Sequence, residues 1–140
     1  MVINIIKIKK EVKKFRRAIN KCDKSKMPIV FKYFPHGSCE DTTLILGEYL
    51  NQKKLGNYKC ISGETEYGLT HAWLEIEDYV IDITSDQFIN RPEVFISKNT
   101  RWYRKFIHKK EVYKIINYDK KTRRQLFMVL NYIKKIIRKF

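Results

Sequence analysis

The sequence predicts an α+β domain with an amphipathic helix at each end and a small antiparallel sheet between them. Two patterns carry this expectation. Ile5, Ile8, Val12, Phe15 and Ile19 recur at steps of three and four within residues 1–21, and Leu126, Leu130, Ile133, Ile137 and Phe140 repeat the stripe near the other end. Between them, Thr70 to Glu77 alternates, with Ala72, Leu74 and Ile76 on one side and His71, Trp73 and Glu75 on the other; Tyr79 to Ile83 alternates again, as the arms of a hairpin do. At 140 residues, 44% of them hydrophobic and 14% aromatic, the chain is long enough for one core and is read as a single domain over 1–140.

The elements follow in order. After the first helix, Cys22 begins a Lys-rich connector that ends at Pro28, and it is read as an exposed loop thiol with no role. Ile29 to Tyr33 is a short strand or a packed lead-in, and Pro35 with Gly37 sets a sharp entry to a helix that begins at Cys39. Ser38 as N-cap, Asp41 three residues on, and Cys39, Thr43, Leu46 and Leu50 along one face mark that helix. Lys53, Lys54, Leu55 and Gly56 form its stop signal, with the glycine at the C-cap. Tyr58 to Ser62 reads as a strand carrying Cys60 into the core, and Gly63 to Gly68 as a loop leading to the hairpin. Beyond Pro92, Glu93 to Ile96 and Arg101 to Ile107 are expected to be strands, and Thr122 with Gln125 a capping box for the last helix.

Chemistry concentrates between Phe34 and Phe88. Cys39 falls in the first turn of its helix, where free backbone N–H groups and the positive end of the helix dipole favour thiolate, the form that attacks a carbonyl carbon. A two-residue turn at Glu77 and Asp78 pairs Ile76 with Tyr79 and puts His71 and Asp82 on one face as diagonal neighbours. An Asp between Ile81 and Ile83 costs stability unless it is paired, and His71 is the obvious partner. Nucleophile, base and orienter are then all present. Blander readings stand beside this one: Cys39 as a buried core thiol, His71 as a strand histidine, Trp73 as core or cleft wall, His36 as an exposed loop histidine.

Together these residues resemble a known family. The Gly37-x-Cys39 opening of a helix, the later Gly63, the His71-Ala72-Trp73 strand and Asp82 in the next strand are similar to the core of bacterial transglutaminase-like cysteine proteinases, of the papain-like and transglutaminase superfamily. The resemblance covers Pro35 to Phe88. It implies a nucleophile helix packed on a small antiparallel sheet, with Cys39 as nucleophile, His71 as general base and Asp82 as orienter; no cofactor is expected. Papain-type enzymes place a Gln a few residues before the cysteine as an oxyanion donor. Here Tyr33, His36 and Ser38 stand nearest, so Gln87, His36 and Trp73 are the candidates for oxyanion or substrate contacts. The expected reaction is acyl transfer at an amide of a protein or peptide: peptide hydrolysis, deamidation or transglutamination. Small basic domains of this superfamily also occur as bacterial toxin effectors, which implies delivery into a target-cell cytosol and an acidic inhibitor protein as partner.

Charge frames the alternatives. The net +15 divides into 11 Lys or Arg against 2 acids over 1–33, 5 against 11 over 34–100, and 14 against 2 over 101–140. The catalytic core, about 28–90, is thus acidic between basic helical flanks at 1–27 and 101–140, whose candidate partners are nucleic acid, an acidic protein or an anionic membrane. A basic nucleic-acid-binding or RNA-cleaving toxin domain is the main alternative function, and the WYRKFIHKK stretch, aromatics among cations, would suit base stacking. Three cysteines without a C-x-x-C spacing, and an apolar run from Val2 to Ile6 too short for a signal peptide, point to a reducing cytoplasmic compartment. No C-x-x-C or H-x-x-x-H spacing supports a metal site, and no apolar run reaches membrane-spanning length.

Overall fold

Helix α1 spans Ile5–Lys21 in the computed structural model, which describes residues 3–140, so the first two positions of the expected 1–21 helix lie outside the described residues. The Asn4 side chain accepts from the Lys7 N–H to start the helix. Its buried face is the expected stripe Ile8, Val12, Phe15 and Ile19, with two charged residues added, Glu11 and Arg16. Cys22 is the C-cap and is buried, a correction to its reading as an exposed loop thiol: its N–H closes the last turn on Ala18 and Ile19, which turns the side chain into the core.

Helix α2 spans Cys39–Gln52. Ser38 sits at its N-cap, but its side chain makes no capping bond; the hydroxyl faces Thr42 Oγ1 at 3.4 Å instead. At the other end Lys54, not Gly56, takes the left-handed position, at φ 57°. Its N–H bonds the Asn51 carbonyl and the Leu55 N–H the Leu50 carbonyl, which closes the helix and buries Leu55.

Strands β1 (Lys59–Glu64), β2 (Thr70–Ile76), β3 (Tyr79–Asp82), β4 (Phe95–Ser97) and β5 (His108–Val112) form one antiparallel sheet in the order β4-β3-β2-β1-β5. The hairpin register is the expected one, with Ile76 opposite Tyr79 across a two-residue turn at Glu77 and Asp78. Two expectations for the later chain are corrected. Only Phe95–Ser97 of the fourth segment is extended, and Arg101–Lys105 is a 3-10 helix rather than a strand. A strand would point Tyr103 and Phe106 to opposite faces, whereas a 3-10 turn eclipses residues three apart and buries both against Trp73.

Helix α3 (Lys120–Ile137) is capped by the Asp119 carboxylate, which accepts from the Thr122 N–H; Thr122 is thus the third helical residue and no capping box forms at Thr122 and Gln125. Leu126, Val129, Leu130 and Ile133 are its buried face. The architecture is α+β. One core cluster unites the inner faces of all three helices with Cys60, Leu74, Ile76, Ile81 and Ile83 of the sheet and the residue after β3. On the opposite face of the sheet a smaller cluster gathers Ile61, Trp73, Val80, Tyr103 and Phe106. The two basic ends of the chain meet: α1 packs along α3, with Arg17 stacked 4.2 Å over the Phe140 ring and the Asp23 N–H donating to Tyr132 Oη at 2.9 Å.

Arg16 ties this scaffold to the segment after β3. Buried in α1, its guanidinium donates to the Ile83 carbonyl at 2.8 Å and reaches both oxygens of Asp86 at 2.6 and 2.8 Å, with Glu93 3.2 Å away. Replacing it with Met, which keeps the aliphatic stem, should leave these acceptors facing apolar surface. The expected loss is about 3 kcal/mol in urea unfolding.

Candidate active site

The site is built where β2 begins, β3 ends and α2 starts. His71 lies one residue into β2 and Asp82 is the last residue of β3, so the hairpin register puts both side chains on the face that carries Trp73 and Val80. His71 Nε2 and Asp82 Oδ2 are 2.7 Å apart, and both residues are 1% exposed. A carboxylate can only accept at that distance, so Nε2 carries a proton and Nδ1 is the nitrogen left for chemistry.

Asp82 has more partners than the sequence suggests. Tyr103 Oη donates to the same Oδ2 at 2.7 Å, and the Thr84 N–H donates to Oδ1 at 3.0 Å. Tyr103 Oη in turn accepts from Arg91 Nη2 at 3.0 Å, and Arg91 Nε donates to Ser85 Oγ at 3.0 Å. Burial, the Asp82 charge and the bond to it push the Tyr103 phenol pKa up, so the hydroxyl remains a donor. Reading the sequence missed Thr84, Arg91 and Tyr103 in these roles. The first had a usable signal, since an Asp bonds the backbone N–H two residues on in a common local turn. The other two reach Asp82 only through the 3-10 turn.

The imidazole stands in an aromatic enclosure, edge-on to Phe88 at 4.9 Å between centroids and within 6.5 Å of Trp73, Trp102, Tyr103 and Phe106. Burial alone would lower its pKa. Hydrogen bonds to Asp82 and to the Cys39 thiol, and the charges of both, outweigh it and raise the value to about 9. The thiol at the first turn of α2 is thus near enough to the ring that Asp82 holds to raise its pKa, and Cys39 is the partly exposed member of the three. Burial, and after it the neighbouring Glu40, raise the Asp41 carboxyl.

The three secondary candidates separate. Gln87, at the end of the Ser85–Gln87 turn pinned by Arg16, brings Nε2 to 3.1 Å from His71 Nδ1. That amide can donate only while Nδ1 carries no proton; on an imidazolium, Nδ1–H donates instead, to thiolate or to the amide oxygen after rotation. Trp73 is fully buried and gives its N–H to Glu75 at 3.0 Å, so its place as a substrate contact is corrected: it is core beneath the imidazole. His36 is exposed on the turn into α2, and its side chain makes no hydrogen bond among the described residues. It is not joined to the dyad.

Of the other thiols, burial pushes Cys60 up to about 12, and burial also raises Cys22 against the opposing charge of Lys24. In the WYRKFIHKK stretch Tyr103 and Phe106 are buried, so their rings are not available for base stacking. Among the described residues no three His, Cys, Asp or Glu side chains are placed to hold a metal ion, and no helix is long and apolar enough to cross a membrane. Comparison with protein-family models, with curated proteins and with solved structures finds no match to this chain.

Proposed function

We propose that this chain is a thiol enzyme that transfers acyl groups at amide carbonyls, on a papain-like or transglutaminase-like core. The observation that carries the reading is the buried 2.7 Å His71–Asp82 pair with the Cys39 thiol at the same imidazole. An Asp committed to a buried histidine, itself beside a partly exposed cysteine at a helix start, has the order of roles that nucleophilic catalysis needs.

In the first half-reaction Cys39 Sγ, as thiolate, attacks the carbonyl carbon of the substrate amide. The C=O electron pair moves to oxygen, and the Cys39 backbone N–H at the open end of α2 is one donor for that oxyanion. Collapse of the adduct breaks the C–N bond while the imidazolium gives its proton to the departing nitrogen, leaving a thioester and neutral His71. In the second half, His71 takes a proton from water, or from a second amine, as that nucleophile adds to the thioester. The C–S bond then breaks, and the thiolate and imidazolium return. Asp82 keeps Nε2 protonated throughout, so Nδ1 is the only nitrogen that exchanges protons with substrate.

A mixture of peptides incubated with the protein and read by mass spectrometry tests this and sorts its three outcomes, since cleaved, deamidated and cross-linked peptides differ in mass. All products should vanish with Cys39→Ala, a loss of at least about a thousandfold. Products that persist in that variant would overturn the proposal.

A further inference from the structure

Away from the thiol, a cavity of about 460 Å3 opens between the first turns of α3 and the connector after α1, lined among others by Lys26, Pro28, Lys121, Arg124, Met128 and Tyr132. Its floor is apolar and its rim cationic. Large apolar side chains stand out beside it: Met128 of its lining is 66% exposed, and Pro28 of its lining is followed by Ile29 at 81% and Val30 at 40%. Asp23, whose N–H bonds Tyr132 Oη, and Asp119, the N-cap of α3, are the only acids in 23–39 and 119–140, against 3 Lys in the first stretch and 8 Lys or Arg in the second, so cations predominate on both. A face kept only for solubility would show the lysines without the protruding isoleucine and methionine.

We propose that this face docks on an anionic lipid bilayer. Ile29 and Met128, from two different elements, enter the boundary between headgroups and acyl chains, while Lys26, Lys121 and Arg124 reach the headgroup phosphates. A bilayer favours both kinds of side chain at once and demands no shape match. That suits apolar tips that project outward beside the cavity. The docking does not rest on the thiol chemistry.

Co-sedimentation of the full chain with phosphatidylcholine vesicles, with and without about one third phosphatidylserine, tests the proposal at physiological salt. Binding is expected to the mixed vesicles and not to phosphatidylcholine alone. Two paired variants separate the contributions, and all four residues are exposed, so folding, checked by circular dichroism, should be unaffected. Ile29→Ser with Met128→Ser, and Lys26→Glu with Lys121→Glu, should each weaken binding about tenfold or more. Failure of the unaltered chain to bind the mixed vesicles overturns the proposal, as does binding that ignores the loss of Ile29 and Met128. Soluble polyglutamate that binds the chain with the same dependence on those two residues, and displaces the vesicles, would assign the face to an acidic polypeptide and overturn it too.

Discussion

Replacing His71 with Ala should slow alkylation of Cys39 by iodoacetamide at about pH 6.5 by ten- to a hundredfold, while Cys22 and Cys60 stay as slow as before. The thiolate is the reacting form, and a neighbouring imidazolium is the charge that favours it. Because Asp82 and Cys39 keep His71 protonated up to about pH 9, its charge is present across the whole acidic and neutral range. Removing the ring removes that charge and opens a space behind the thiol, so any remaining reactivity reports the helix start alone. Mass spectrometry that assigns the label residue by residue checks the three thiols in one experiment.

Asp82→Asn should produce the second large effect, in stability and in its dependence on pH. The His71 pKa is raised from 6.5 to about 9, so the folded state binds the proton more tightly than the unfolded chain. This contribution is fully present below about pH 6.5 and is lost as pH rises through about 9; over that window the unaltered chain should lose about 3 kcal/mol in urea unfolding. An Asn at position 82 keeps a hydrogen-bond acceptor for Nε2 but no charge. The variant should therefore be less stable than the unaltered chain below about pH 9 and converge with it above, without the loss of stability that the unaltered chain shows across that window. Equal pH slopes in the two proteins would mean that Asp82 does not hold the imidazolium.

The parts of this molecule that could be read from sequence are those fixed by local periodicity. The stripe of α1, that of α3 except Phe140, which lies beyond the helix and is exposed, the start of α2 at Cys39 and the register that brings His71 to Asp82 all follow from spacing; in the hairpin, a shift of one residue would move Leu74 and Ile76 out of the core. What could not be read depends on distant packing. Tyr103 reaches Asp82 only because Arg101–Lys105 coils, and it coils because Tyr103 and Phe106 share one aromatic cluster, which alternation within the segment itself does not reveal. Arg16 looks like one cation among many in α1, yet it is buried by acceptors about seventy residues away in sequence. Cys22 was misplaced for a similar reason: a Lys-rich connector reads as exposed, but the helix end it caps lies against α3.

The most direct measurement is the rate of iodoacetamide labelling of each thiol in the unaltered chain between about pH 5 and 10. Cys39, the partly exposed thiol beside the imidazole, is predicted to react faster than Cys22 and Cys60, both buried and raised by burial, at about pH 6 and above. A Cys39 no faster than Cys22 at about pH 6, with a profile unchanged by His71→Ala, would contradict the thiol-imidazolium pair on which the account rests.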